Sequence, residues 1–283
     1  FDFRGGSGFA GIFPIRVPMV GHAQAQDDAR DDNQLTIAVG AAAIPSYDGS
    51  DDTVVTPGAI VRGKVSGHSF FSRGTSLYFN LIKDKPSSSG LDVGFGPLTT
   101  VRLTRTRSVK DSQVKALGKL DPSVEIGGWG EIGKTGLFSG KYDSLSFRLT
   151  YAHDIAGAHD SYFIKPSLEY GTPITETTFF GVSLSADYVG KGFGRYYYDV
   201  TLAESQKSGL GVYGAAGKKA GFAKLNVGIV GAKSLSGDLR KGWAVFALGG
   251  YGRLLGRYAA SPLVKDAGSR NQWLGGLGVA YSF

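Results

Sequence analysis

Asn271-Gln272-Trp273-Leu274-Gly275-Gly276-Leu277-Gly278-Val279-Ala280-Tyr281-Ser282-Phe283 puts Trp273, Gly275, Leu277, Val279, Tyr281 and Phe283 on one face of an extended chain. A period of two is the mark of a β-strand with one apolar face. The same period recurs upstream. Leu91, Val93, Phe95, Pro97, Thr99, Val101 and Leu103 alternate with Asp92, Gly94, Gly96, Leu98, Thr100 and Arg102. Leu145, Phe147, Leu149 and Tyr151 alternate with Ser146, Arg148 and Thr150, and Phe180, Val182, Leu184, Ala186 and Tyr188 with Gly181, Ser183, Ser185 and Asp187. No stretch of similar length carries a helical period.

All-β architecture leaves a soluble sandwich or a membrane barrel. A sandwich turns its apolar faces inward and uses strands of about 5–6 residues. A barrel turns them to lipid and needs about 9–11 residues per crossing. Residues 91–105 and 137–153 are long enough to cross. The opposite faces are rich in Gly, Ser and Thr with single charges, as a narrow lumen requires. Tyr and Phe gather near segment ends, where a girdle would lie. The reading is an antiparallel transmembrane β-barrel over residues 35–283, which predicts outer-membrane lipid as its surroundings.

Links of alternating length give the strand number. A bacterial single-chain barrel has an even number of strands, both termini inside, short inner turns and long outer loops. Counting back from Phe283, residues 258–270, 190–217, 154–160 and 106–120 are outer. Residues 235–241, 173–176, 135–136 and 83–90 are inner. A single strand over residues 69–82 breaks parity. Splitting it at Arg73-Gly74 gives twelve strands, with residues 45–56 outside and Ser66-Gly67 inside; ten is the alternative. The stretch near His68–Ser72 is short for a crossing. In residues 190–217, the tyrosines of Arg195-Tyr196-Tyr197-Tyr198 are expected to anchor the loop base at lipid headgroups. Leu168 and Leu184 are expected to face lipid, and Glu169 and Ser185 the lumen.

The chain has 283 residues, 31 Lys+Arg against 24 Asp+Glu, 44 Gly and no Cys. Without cysteine there is neither a disulfide scaffold nor a thiolate metal site. The net charge of +7 is spread out, its densest patch being Arg102, Arg105, Arg107 and Lys110, which argues against nucleic acid. Residues 1–25 end in Ala23-Gln24-Ala25, the form of a signal-peptidase site. They are read as a leader or signal-peptide remnant, and residues 26–34 as a short polar segment.

Candidate chemistry is sparse. Asp48, Asp51 and Asp52 around Gly49 suit Ca2+ in kind, but their spacing does not fit the D-x-[DN]-x-[DN]-G pattern, and a turn is the preferred reading. His153-Asp154 and His159-Asp160 supply metal-type ligands around Ala156-Gly157-Ala158, itself a tight link. No G-x-S-x-G elbow occurs. No catalytic residue, metal or cofactor is expected. The lumen-facing candidates are Asp92, Arg102, Glu125, Glu131, Arg148, Lys165, Glu169, Asp187 and Lys224. They line either a charge-selective pore or a plug in which opposite signs neutralise each other.

Two motifs carry a resemblance. Pro45-x-Tyr47-x-Gly49-Ser50-Asp51-Asp52 follows the first strand, and Arg253-Leu254-Leu255 precedes Ser261-Pro262-Leu263-Val264. In that order, with the terminal Tyr281-Ser282-Phe283, the chain resembles the MipA/OmpV family over about residues 35–283. The resemblance implies an outer-membrane protein of a Gram-negative bacterium, without catalytic residues. It also implies a scaffold joining a murein-cleaving transglycosylase to a murein synthase. The terminal alternating strand resembles the signal read by the barrel-assembly machinery, with Tyr281 and Phe283 as its expected assembly residues.

Overall fold

The computed structural model describes residues 34–83, 91–106, 109–138 and 142–283. The expected leader, and the polar segment up to residue 33, lie outside the described residues. Twelve strands occur among the described residues: β1 (Gln34–Pro45), β2 (Thr53–Val65), β3 (His68–Arg73), β4 (Ser76–Lys83), β5 (Leu91–Arg102), β6 (Ser123–Thr135), β7 (Ser144–Asp154), β8 (Tyr162–Thr175), β9 (Thr178–Val189), β10 (Gly221–Ser234), β11 (Gly242–Leu254) and β12 (Asn271–Ser282). Each pairs with its sequence neighbour, and β12 closes on β1 from Thr36↔Ser282 to Ala43↔Gly275. The result is a closed antiparallel barrel with no free sheet edge along most of its wall.

The alternation faces as the sequence predicts. Leu168 and Leu184 are 44% and 52% exposed, whereas Glu169 and Ser185 are 4% and 6%. Ile37, Phe95, Ile132, Phe147, Val227 and Leu277 continue the exposed apolar belt around the barrel. A continuous belt of this kind is suited to hydrocarbon, not water. Aromatic pairs rim both edges. Tyr151–Tyr162, Tyr188–Phe222 and Tyr251–Trp273 lie at one end, and Trp243–Tyr281–Phe283 at the other. No described helix is long and apolar enough to cross a membrane.

Long links gather at one end, the loop end, and short ones at the other, the turn end, where β1 starts and β12 finishes. Several boundaries differ from expectation. The segment read as a crossing over residues 137–153 begins only at Ser144. Gly136 (φ 78) ends β6, and the Asp143 carboxylate takes the Leu137 and Phe138 N–H groups, which folds the chain into a turn. The turn-end link is therefore residues 136–143. The strand expected over residues 91–105 stops at Arg102, ahead of Arg105 with φ 56. The link expected at residues 173–176 shrinks to Glu176-Thr177, because β8 continues through Pro173 with a bulge before Thr175.

The short strand is real and leaves a step in the wall. β3 has six residues and meets β2 only from Arg62↔Phe71 to Val65↔His68, while β1 pairs with β2 as far as Thr53. Among the described residues, the loop half of β2 has a strand on one side only. Pro57 lies in that edge, where its missing N–H does not interrupt a ladder.

Candidate functional site

The two stretches that carried the family resemblance lie over 200 residues apart and interlock above the loop-end mouth. Tyr47 donates to the backbone oxygens of Leu263 (3.0 Å) and Ala267 (2.6 Å). Gly49 donates to the Gln272 side chain at 3.1 Å, and Gln272 returns a bond to the Ser50 oxygen at 2.9 Å. Gly49 has φ 109, and a Cβ there would meet Val264 at 2.6 Å, so only glycine fits. Ser46 and Ser50 pair through their hydroxyls. Pro45 ends β1, Asp51 and Asp52 complete the turn back to β2, and Pro262 starts the short helix α5 (Pro262–Lys265). Burial pushes the Tyr47 phenol well above the usual tyrosine range, and Asp111, Asp51 and Asp52 add to it.

Four further helices complete this lid: α1 (Ser112–Ala116), α2 (Lys191–Tyr198), α3 (Leu202–Ser208) and α4 (Gly256–Ala259), which lies beside α5. Thr201 and Glu204 form a reciprocal capping box at the start of α3, and Gly209 (φ 74) ends it. Tyr47, Val109, Val114, Val200, Leu210, Leu263 and Ala267 form an apolar core in the lid. Ser261 donates to the Tyr198 oxygen at 2.5 Å. The tyrosines of α2 were expected at lipid headgroups, and the structure corrects this. Tyr197 and Tyr198 are 5% and 0% exposed and point into the lid and lumen, because Gly194 packs against Ala216 and turns that face of the helix inward.

Beneath the lid, charged side chains cross the lumen in pairs. Lys224 reaches Asp48 at 2.5 Å, and Tyr198 donates to the same carboxylate at 2.7 Å. Burial works to raise the Asp48 carboxyl, but the Lys224 charge and these two hydrogen bonds outweigh it and hold it below the usual carboxylate range. Lys165 pairs with Asp187 at 2.9 Å. Arg102 grips Glu125 with two bonds of 3.0 and 3.1 Å, and His159 meets the same carboxylate at 2.9 Å. The Arg102 guanidinium also lies over Phe163 and Phe193. Lower down, Arg148 joins Glu131 and Glu169, and Arg73 takes Glu169 with bonds of 2.6 and 3.0 Å. Both guanidiniums stack on Phe71 and Tyr78, and Arg148 on Trp129 as well. Glu125 and Arg148 are 0% and 2% exposed.

Eight of the nine lumen candidates thus fall into four ion-pair clusters; the ninth, Asp92, lies at the turn end of β5. Asp48, Arg73 and His159 complete the clusters and were not among the lumen-facing candidates, although Asp48 and His159 are weighed above as metal-type ligands. Each lies in or beside a link, where alternation gives no facing. The two histidine doublets do not converge. His153 bonds the Asp154 backbone oxygen, whereas the Asp154 carboxylate accepts the N–H groups of Ala156, His159 and Asp160 and shapes the turn. Among the described residues no cluster of His, Cys, Asp and Glu is arranged to hold a metal ion.

At the turn end the lumen opens into a cavity of about 230 Å3. Ile60, Phe71, Trp129, Val230, Phe246 and Leu248 line it, and Arg62 and Arg240 stand at its mouth. This apolar inner wall was not expected from the sequence.

A family model described as MltA-interacting protein MipA matches residues 37–283. No curated protein matches the chain. Among solved structures, outer-membrane expressed OmpT of Vibrio cholerae aligns at 8% identity over 91% of this chain and 100% of its own, with a TM-score of 0.33. The Pseudomonas putida toluene transporter TodX aligns at 10% identity over 90% of each chain, with a TM-score of 0.37. An outer membrane channel from Pseudomonas putida F1 aligns at 8% identity over 93% of this chain and 100% of its own, also at 0.37.

Proposed function

The chain belongs to the family of the MltA-interacting protein MipA, and from that premise we propose that it is a non-enzymatic outer-membrane barrel of a Gram-negative bacterium, closed to solutes and serving as a scaffold at its turn end. The loop end faces outward, as in barrels with short periplasmic turns. The observation that carries the closed lumen is the pairing of its charges. Arg73, Arg102, Arg148, Lys165 and Lys224 each reach a carboxylate, and the lid covers them. A selective pore needs charges that face a continuous water path. Charges spent on one another across the lumen weigh against the other reading, a narrow channel for small solutes.

The scaffold reading rests on the family and on the turn end itself. Phe138, Ile174 and Leu235 are 71%, 63% and 63% exposed there, on the links or at a strand end. Exposed apolar side chains rimmed by polar turns suit protein contact. The partners are a murein-cleaving transglycosylase and a murein synthase. The test is capture of both enzymes by the immobilised, reconstituted barrel. Wild type is expected to retain both, and Phe138→Asp with Leu235→Asp to lose them while staying folded. Failure of wild type to retain either enzyme rejects the scaffold.

A further inference from the structure

We propose that the loop-end rim of β10, β11 and β12 binds the headgroup of an anionic phospholipid, with the lipid's chains lying on the barrel wall below it. Five basic side chains meet there. Lys218 and Lys219 precede β10, Arg253 lies on β11, Arg257 follows it on α4, and Arg270 precedes β12. The backbone brings these ends together. The Leu254 N–H donates to the Arg270 oxygen at 2.9 Å, the Leu255 N–H to the Ala223 oxygen at 2.9 Å, and the Arg257 guanidinium to the Lys219 oxygen at 2.6 Å.

Facing selects a lipid. Arg253 is exposed between buried Gly252 and Leu254, so it points out of the barrel. Its register partners Leu225 and Asn271 are exposed on the same outer face. Tyr251 and Trp273 pack at 4.7 Å just below, and Tyr251 donates to Asn271 at 2.7 Å. Such rings lie at headgroup level. Arg253 is two residues further along the strand. At about 3.4 Å per residue and a tilt of about 40°, that puts it roughly 5 Å nearer the water. Val227 and Leu277 continue the same face downward as apolar surface for the chains.

Charge selects the head. Among the described residues none of the five cations makes an ion pair. The carboxylates of the two links are engaged elsewhere. Asp199 takes the Ala216 and Gly217 N–H groups at 2.9 and 3.0 Å, and Glu204 holds the Thr201 cap. That leaves Asp266, exposed at the end of α5, against five cations. In the lumen behind this wall, Asp48 and Asp187 are taken by Lys224 and Lys165. Guanidiniums suit a phosphate because they offer it two parallel hydrogen bonds. A zwitterionic headgroup brings its own amine, which these cations repel. A phosphate without an amine keeps its net charge.

The chain has three tryptophans, Trp129, Trp243 and Trp273. Trp243→Phe leaves Trp273 as the reporter on the outer wall, with Trp129 inside the lumen as a constant background. The folded barrel is reconstituted in mixed vesicles of phosphatidylcholine and phosphatidylglycerol, with one lipid brominated at a time. Brominated phosphatidylglycerol, as the minor component, is expected to quench Trp273 beyond its share of the lipid. A Lys or Arg near an anionic surface favours it by about fivefold. Two engaged cations should therefore give a preference of about tenfold or more, weakened at about 1 M salt. Arg253→Gln with Arg270→Gln should lower that preference by about fivefold or more, and adding Lys218→Gln with Lys219→Gln should lower it further. All four side chains are exposed, so these variants keep the fold. Lys115→Gln with Lys119→Gln removes the same charge halfway round the barrel, on the link between β5 and β6, and should leave the preference unchanged. Equal quenching by the two lipids overturns the proposal. So does a preference that survives the paired arginine change, or one that the Lys115 and Lys119 pair lowers as much.

Discussion

Arg148→Met removes the central crossbar of the lumen. Arg148 is 2% exposed, joins Glu131 and Glu169 and stacks on Phe71, Tyr78 and Trp129. After the change Glu169 keeps Arg73, but Glu131, 8% exposed, loses its arginine. Removing one partner of a buried ion pair costs about 3–5 kcal/mol, because the other charge stays desolvated. Methionine restores much of the apolar contact with the rings, so the electrostatic part dominates. Urea unfolding of the reconstituted barrel has a slope of about 1–3 kcal/mol per molar for proteins of small size, so the midpoint should fall by about 1 M or more. Adding Glu131→Gln should recover most of the loss, since neutralising both members of a buried pair is often close to neutral. A cost within about 1 kcal/mol for Arg148→Met alone is the ordinary result for an exposed pair. It would mean that the lumen is hydrated and refute the plug.

Leu184→Arg should cost about 2–4 kcal/mol near the bilayer midplane, and Ser185→Arg less, measured by the same unfolding; equal costs reject the register. The lid should loosen in acid through Asp48. Its folded pKa lies below the unfolded value, so its contribution is present above about pH 4 and is lost as pH falls through the folded value. Limited proteolysis of the lid across pH 5 to about 2 should show this loss in wild type, and Asp48→Asn should remove the pH dependence. Gln206→Cys, exposed on α3 in a chain without cysteine, should react with an impermeant maleimide in intact cells. Labelling only after the outer membrane is broken would invert the topology.

The wall of the barrel was legible because alternation is a direct record of facing. Leu184 beside Ser185, and link lengths counted by parity, were sufficient for twelve strands, including the short His68–Arg73 that looked implausible as a crossing. Links were less legible. Thr201-x-x-Glu204 has the form of a capping box, but it heads a helix of only seven residues, too short to show a helical period. Tyr197 and Tyr198 suit an interface and a packed lid equally well, and only the turn of α2 over Ala216 decides between them. The inner apolar wall was hidden for another reason. Trp243-Ala244-Val245-Phe246-Ala247-Leu248 is apolar on both faces, so alternation gives no sign of the lumen there. The clusters were half visible, because their strand-borne members alternate whereas Asp48, Arg73 and His159 sit at links and ends.

A lumen closed by paired charges and an interlocked lid passes no ions. Single-channel recording of the purified, folded barrel in a planar bilayer tests it most directly. A closed lumen gives a baseline with no conductance steps at either polarity. Reproducible steps of constant size from the wild-type barrel would contradict it.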